Sequence, residues 1–492
     1  MKRLGQAVPW LLPMATGLLL RLPGLEGRPI WYDEAFSILL AARPFAQVLS
    51  GTAADTMPPA YYLSLGVWRS FGQAIWQQRL LNVVLGVALV GLVYLFGRHL
   101  HGRTAAGWAA MLAAISPLLV YHAQELRMYT LLTLSLTGCA YFFLLVRDRR
   151  RAGIAWIGVI LAGTTALYTH NLAVFSILAL DAFLLLRREW SNLARLVVAQ
   201  VVMIVLFLPW LQFVPGQIQK IQEAFWTPRP GLLEVVQALV TFHASLPLSS
   251  WVLIVGVTAS LLAAVLTGYI AVRRLQPGWQ TWFLICLTVV PPVLLFLASY
   301  IMRPVFVPRA FLLSLVGYLL LAGRALAEVR PRQVAWILAG AFVTAGAVGL
   351  AAELTHRTFP RSPFREAAAF LAATADDGDL ILHSNKLSFF PMTIYDPSLP
   401  QAFLPDTPGS HNDTLAEATQ RALGLFPLTD LESAIDAAGR VRYVIFQREI
   451  DEYAVTAVGL PLALDRLYAV SEREPGRTAF NDLWIYDFDL QP

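Results

Sequence analysis

Eleven apolar stretches, each near the length of a bilayer-crossing helix, leave this chain few folds to choose from. A helix needs about 20 apolar residues to cross about 30 Å of hydrocarbon. Such stretches run near 7–23, 77–97, 104–121, 130–146, 152–169, 171–186, 196–214, 248–272, 279–300, 310–327 and 334–351. Of the 492 residues, 57% are hydrophobic and 14% charged, against roughly 25% charged in a soluble protein. A long soluble chain divides into domains rather than enlarging one interior, so a wholly soluble enzyme is excluded, as are a disordered chain and a fibrous repeat. The expectation is a polytopic α-helical membrane protein with about 11 transmembrane helices. The first stretch is the weakest: it contains Pro9 and Pro13, ends at Arg21, and follows Lys2 and Arg3 as a signal peptide would. No small-residue cleavage site follows, so it reads as a retained helix.

Charge divides the chain in two. Residues 1–351 carry 26 Lys and Arg against 11 Asp and Glu, a net of +15, whereas residues 352–492 carry 11 against 21, a net of −10. With the N-terminus cytoplasmic, the inner loops hold 16 basic residues: Lys2, Arg3, Arg98, Arg103, Arg147, Arg149, Arg150, Arg151, Arg187, Arg188, Arg195, Arg273, Arg274, Arg324, Arg330 and Arg332. The outer loops hold about half as many, which fits the positive-inside tendency. An odd number of spans then puts the tail outside. The expected organisation is a membrane domain over 1–351 with a long first outer loop, 24–76, and an extracytoplasmic α/β domain over 352–492. Within that tail, Ser362–Ala375 has helical periodicity, and DLILH at 379–383, RYVIFQ at 442–447 and LWIYDF at 483–488 read as strands. Cys139 and Cys286 lie in apolar runs and read as buried free thiols.

Acids are scarce in the membrane part, so each is informative. Asp148, Glu189 and Glu328 sit among arginines in inner loops and read as local charge balance. Asp181 lies within a span, where a carboxylate marks function by default; its nearness to Arg187 favours snorkelling or local pairing. The other signals fall on the outer side. WYDEAFS at 31–37 places Asp33 and Glu34 among Trp31, Tyr32 and Phe36, although an interfacial aromatic belt with surface acids has the same look. The same loop continues DTMPPAYYLSLGVW at 55–68, with Tyr61. HAQELRMY at 122–129 carries Glu125, Arg127 and Tyr129; the alternative there is a plain ion pair. YTHN at 168–171 puts His170 in a tight turn, which a simple polar turn residue also explains. YIMRPVFVPRAF at 300–311 puts Arg303 and Arg309 on the side where basic residues are rare, with Lys220 and Arg229 extending the positive outer surface. Such arginines suit an anionic partner, for instance a lipid phosphate. Acids, arginines and aromatic rings at one interface suit a reaction on a lipid-linked phosphate sugar.

WYDEAFS, MPPAYYLSLGVW, QELRMYTLL, LYTHN and VPRAFLL, in this order over residues 1–350, resemble the motifs of bacterial membrane glycosyltransferases of the family 39/83 type, relatives of protein O-mannosyltransferases and aminoarabinose transferases with the GT-C fold. The resemblance implies a multi-pass enzyme of the plasma (inner) membrane, acting in the cell envelope. It would move a sugar from a polyprenyl-phosphate donor to a hydroxyl on a lipid, glycan or protein at the extracytoplasmic face. No nucleic-acid partner is expected. It implies Asp33 as general base with Glu34 orienting it or contacting the acceptor. It also implies that Glu125, Arg127 and Tyr129 border the donor, with His170 at the turn and Arg309 at the donor phosphate; read from the residues, Arg303 joins the donor side and Trp31, Tyr32 and Tyr61 lie near the acceptor or sugar. The chain departs from the pattern where Met57 stands for a frequent His before Pro58, and where Ala310 stands for a frequent Tyr after Arg309. No cofactor is certain; a divalent metal between Asp55 and His243, placed roughly as in some relatives, is the open alternative. The rival class is a transporter or flippase of a lipid-linked sugar, which usually shows internal repeats and midplane charges; neither is visible. Lys386, in the HSNK turn, reads as a surface lysine or as a residue facing the site.

Overall fold

The computed structural model describes residues 4–148, 152–223, 227–245, 247–248, 250–275, 278–376, 378–406, 415–455, 461–471 and 473–490. Lys2, Arg3 and Arg149–Arg151, counted above among the inner basic residues, lie outside them. The chain forms two compact units: residues 1–26 with 52–355, and residues 27–51 with 356–492. The contacts therefore divide the first loop, giving 27–51 to the unit that holds the tail.

The first unit is helical. Among the described residues, seven helices are long and apolar enough to cross a membrane: Ile75–Ile115, Tyr129–Arg147, Trp190–Leu211, Val252–Arg273, Trp279–Ile301, Pro308–Glu328 and Arg332–Thr355. The other expected stretches fall on shorter helices, Leu4–Arg21, Ala152–Thr169 and Ala173–Arg187. Two expected spans share Ile75–Ile115, which turns at Gly102 with φ +81°. Glycine alone takes that conformation without strain, and the polar run RHLHGR gathers at the turn. Burial sorts the helices. Pro308–Glu328 has 89% of its most apolar stretch buried, whereas Trp190–Leu211 has 28%. The former is central and the latter presents its side to lipid. Close approach at the centre depends on Gly323, where a Cβ would lie 2.6 Å from the Ala109 backbone nitrogen.

The first helix is fastened to this unit by a buried arginine. Pro117 has no N–H to give to Ala113, and the chain leaves helical geometry at Ser116, so the last carbonyls of Ile75–Ile115 lose their helical donors. Arg21 supplies replacements. Its guanidinium donates to Ala114 O at 3.1 Å, Ala113 O at 3.3 Å and Gly17 O at 2.9 Å. Gln124 Nε2 donates to Pro23 O at 2.7 Å, and Arg79 to Leu25 O at 2.7 Å.

Acids at the loops expected to be cytoplasmic do balance arginines: Glu189 pairs with Arg147 at 2.8 Å and Glu328 with Arg324 at 3.1 Å. Asp181 takes a different partner from the one expected, accepting from Gln200 Nε2 at 2.6 Å on the neighbouring helix. Both cysteines are free and buried.

The second unit is built on a five-stranded sheet of order β2-β1-β3-β5-β4. The strands are β1 (Asp379–His383), β2 (Gln401–Phe403), β3 (Arg440–Phe446), β4 (Gly476–Phe480) and β5 (Leu483–Asp489). β1 runs parallel to β2 and β3, while β5 is antiparallel to β3 and β4. Alternate residues serve opposite faces, as a period of two requires. Ile381, Val444, Phe446 and Ile485 pack against helices Phe364–Thr374 and Lys386–Tyr395. Leu382, Tyr443, Ile445 and Tyr486 pack against Ile435, Leu464 and Leu467. The helix and three strands expected from sequence are present; β2 and β4 were not foreseen. Segment 27–51 contributes the helix Tyr32–Ala41, with Tyr32 against the first of these two layers.

Candidate active site

In the helical unit the HAQELRMY residues form a turn between helices Pro117–Ala123 and Tyr129–Arg147. The turn is buried, with Glu125 at 1% exposure and Arg127 at 6%. Asn82, fully buried on Ile75–Ile115, holds it: Nδ2 donates to Glu125 O, to Arg127 O at 2.9 Å and to Tyr61 Oη at 3.2 Å. The Glu125 carboxylate accepts from His122 Nδ1 at 3.0 Å. The His122 ring lies 4.8 Å from Tyr129, tilted by 53°, and Thr130 Oγ1 donates to His122 O at 2.7 Å.

Tyr129 is the hub. The Arg309 guanidinium lies 5.6 Å over its ring, and the His170 ring lies 6.1 Å from it. Arg309 is half-buried on a short turn, Pro308–Phe311, that opens the central helix. His170 is buried in the turn Thr169–Asn171, and its Nδ1 accepts from the Leu172 N–H at 3.1 Å. Burial, then the charges of Arg309 and Arg127, pushes the imidazole down to about 3. His170 is therefore neutral, with its proton on Nε2. Five sequence-expected residues thus meet at one place: Glu125, Arg127, Tyr129, His170 and Arg309. They combine two guanidinium groups, a carboxylate and an aromatic face, a set suited to an anionic group carried by a partly apolar molecule.

Other expected residues of this unit fall elsewhere. Arg303 is fastened to Gln222, its backbone N–H donating to Gln222 Oε1 at 3.0 Å and its side chain to Gln222 O at 3.3 Å. Tyr61 is fully buried with its hydroxyl on Asn82, so its ring packs the interior and offers no open face to a sugar. Asp55 lies in a loop fastened by Asn171 to Thr56 O, Gln217 to Thr52 O and Lys220 to Ala54 O. His243 donates from Nδ1 to Leu239 O at 2.7 Å and has Nε2 2.8 Å from the Tyr318 hydroxyl. Both ring nitrogens are engaged, and among the described residues no three His, Cys, Asp or Glu side chains gather as a metal site would require. The donor set does not fit the metal alternative.

In the sheet-bearing unit, Trp31 precedes helix Tyr32–Ala41, whose first turn carries Asp33 and Glu34. Asp33 is half-buried. Glu34 is fully buried and ion-paired with Arg361 at 2.8 Å. Tyr32 packs on Phe390 at 5.3 Å between ring centroids. Lys386 is buried, not at the surface: it pairs with Asp406 and sits 5.9 Å from the Tyr32 ring. The hydrophobic run that follows it, LSFFPM, forms a helix packed on the sheet and carries the lysine inward with it.

Comparison with known proteins bears on these arrangements. A family model described as dolichyl-phosphate-mannose-protein mannosyltransferase matches residues 55–213. Among curated protein sequences, none matches the chain. Solved structures match over nearly its whole length. ArnT from Cupriavidus metallidurans in the apo state superposes with a TM-score of 0.65 at 14% identity, covering 99% of this chain and 98% of that one. The fold is the GT-C fold. A second ArnT structure, bound to undecaprenyl phosphate, gives 0.63 at 15% identity, with 98% of both chains covered. The archaeal oligosaccharyltransferase AglB from Archaeoglobus fulgidus, in complex with an inhibitory peptide and a dolichol-phosphate, gives 0.57 at 12% identity, covering 99% of this chain and 74% of that one. Within this GT-C chain, the matched family segment includes Asn82, His122, Glu125, Arg127, Tyr129 and His170. Asn82 and His122 were missed as site residues. Asn82 lies in an otherwise apolar helical run, and only an interruption of that run by an amide signals it.

Proposed function

We propose that this protein is an inverting glycosyltransferase of the plasma (inner) membrane. It takes a sugar from a polyprenyl phosphate and gives it to a hydroxyl acceptor at the extracytoplasmic face, with the N-terminus cytoplasmic and the tail domain outside. The observation that carries the reading is the cluster of Glu125, Arg127, Tyr129, His170 and Arg309, in a fold shared with proteins that hold undecaprenyl phosphate and dolichol-phosphate. Arg309 and Arg127 bind the donor phosphate, and Tyr129 and neutral His170 border it. Trp31 and Tyr32, which keep part of their surface open, line the acceptor or the sugar.

The reaction is a single displacement. The acceptor oxygen attacks the anomeric carbon, the bond from that carbon to the phosphate oxygen breaks, and the acceptor proton passes to Asp33. The polyprenyl phosphate leaves with its added charge held by the arginines. A base must reach about 2.6–3.2 Å from the oxygen whose proton it takes, and preorganised donors of this kind contribute about 3–4 kcal/mol to a transition state. Glu34, buried on Arg361, orients the helix start rather than touching the acceptor.

Mass spectrometry of the cell envelope, with and without the protein, identifies the molecule that loses a saccharide unit. Asp33→Asn should fold, bind undecaprenyl phosphate and reproduce that loss. Near-normal transfer by the purified variant would refute the base.

A further inference from the structure

Within the sheet-bearing unit, segment 27–51 is held at close intervals by groups from residues 356–492. Arg361 donates to Glu34 Oε2 at 2.8 Å and to Pro29 O at 2.9 Å. The Ile30 N–H donates to Tyr395 Oη at 2.8 Å. Tyr32 lies on Phe390 with Lys386 beside its ring. Further on, Arg43 donates to Leu423 O, and Thr419 Oγ1 donates to Gly51 O at 3.1 Å.

The place is significant. Lys386 follows β1, whose two parallel neighbours β2 and β3 lie on opposite sides. Open α/β sheets bind ligands in the crevice beyond the carboxyl ends of their strands at such a point. Here Tyr32 of the chain's own first loop lies beside that edge. Asp33 stands between Tyr32 and Glu34, both immobilised, in the first turn of a helix. The helix start that carries it is thereby held by the tail.

We propose that the tail domain serves the reaction by fixing Asp33, with Arg361 as the positioning residue. This rests on the assignment of Asp33 as the base. Arg361 touches no reactant; it acts through Glu34 and Pro29. Misplacing a reacting group by about 1 Å costs on the order of a hundredfold in rate.

The test uses the full chain in lipid nanodiscs, read by hydrogen–deuterium exchange, together with the envelope product made by each variant in cells lacking the native protein. Arg361→Gln should speed exchange of amides 30–37 at least tenfold while leaving β1 and β3 unchanged, and lower the product at least tenfold. The charge exchange E34R with R361E should restore both in part. Arg361→Lys, which keeps the charge but puts it on a shorter side chain than the guanidinium whose Nη1 donates to both acceptors, should fall between. Unchanged exchange at 30–37, unchanged product, or acceleration spread through β1 and β3 overturns the proposal. A normal product from Asp33→Asn overturns the base instead, and the exchange data still decide whether Arg361 holds the loop.

Discussion

Among the residues proposed to bind the donor, Arg309 carries the most weight, because it joins a half-exposed position to the Tyr129 ring, which His122 and His170 also approach. Replacing it with alanine should lower turnover by about 10²–10³-fold, the usual loss for one preorganised donor. The midpoint of thermal unfolding should move little. Arg309→Lys should recover only part of the rate, since an ammonium cannot reproduce the planar fork. A kinetic comparison on the purified protein, once the envelope product is known, reads both. Asn82 makes a contrasting case. Asn82→Ala strips donors from two buried carbonyls and should cost about 1–3 kcal/mol in stability, measurable as a lower unfolding midpoint in detergent. The same contrast governs what sequence reading captures. Arg309 stands out because an arginine in a loop expected to lie outside breaks a charge bias. Asn82 does not, because the carbonyls it holds lie 43 and 45 positions downstream. Lys386 misleads for the opposite reason: a lysine in a turn looks solvated until the helix after it is seen to carry it inward.

At the level of elements, long apolar runs and period-two strands are legible because burial repeats along them. The apolar stretches fall on helices among the described residues, two of them sharing Ile75–Ile115 and the second of these running on past Ser116 into Pro117–Ala123, and the three strands with several buried residues were expected. β2 has three residues and β4 is largely exposed, so neither writes a burial pattern into the sequence. The turn at Gly102 was legible only as a polar interval between two spans. Two helix contacts yield predictions. Gly323→Leu forces a side chain against the Ala109 backbone; overpacking of this kind costs typically about 1–3 kcal/mol, and here it should separate the two helices and lower the yield of folded protein in detergent. Arg21→Leu removes the donors that Pro117 denies to Ala113 and its neighbour. Unsatisfied buried carbonyls cost about 1–3 kcal/mol, so the variant should unfold at lower temperature even though leucine suits a membrane better than arginine.

Across the whole molecule, two bodies with opposite net charge answer differently to solution conditions. The tail contains His383, buried in β1, with its ring between Ser388 Oγ and Gln401 Oε1, each at 3.0 Å. Burial pushes this imidazole down to about 3 from an ordinary value of 6.5. Between those values the unfolded chain binds a proton that the folded one refuses. The contribution of neutral His383 is therefore full above pH 6.5 and is lost as pH falls toward 3, at up to about 1.4 kcal/mol per pH unit. Thermal melts of the full chain at pH 7, 5 and 4 should show the native protein losing stability faster on acidification than His383→Gln. Equal slopes would remove His383 as the cause. The division of the first loop at residues 27 and 52 was the least legible feature of all. It depends on contacts such as Glu34 with Arg361, more than three hundred residues apart, which no local pattern announces.

The arginine that closes the first helix also has a consequence for biogenesis. Two of its three carbonyl acceptors are made 92 and 93 residues later. Until the ribosome has delivered them, the guanidinium at the end of the nascent helix has only Gly17 O to donate to within its own segment, and a charge short of partners weakens the hold of an inserting helix. Its anchorage becomes final only when the third apolar stretch arrives. Nascent chains stalled before Ala113 should therefore leave the first helix extractable by urea, and chains stalled well beyond it should not.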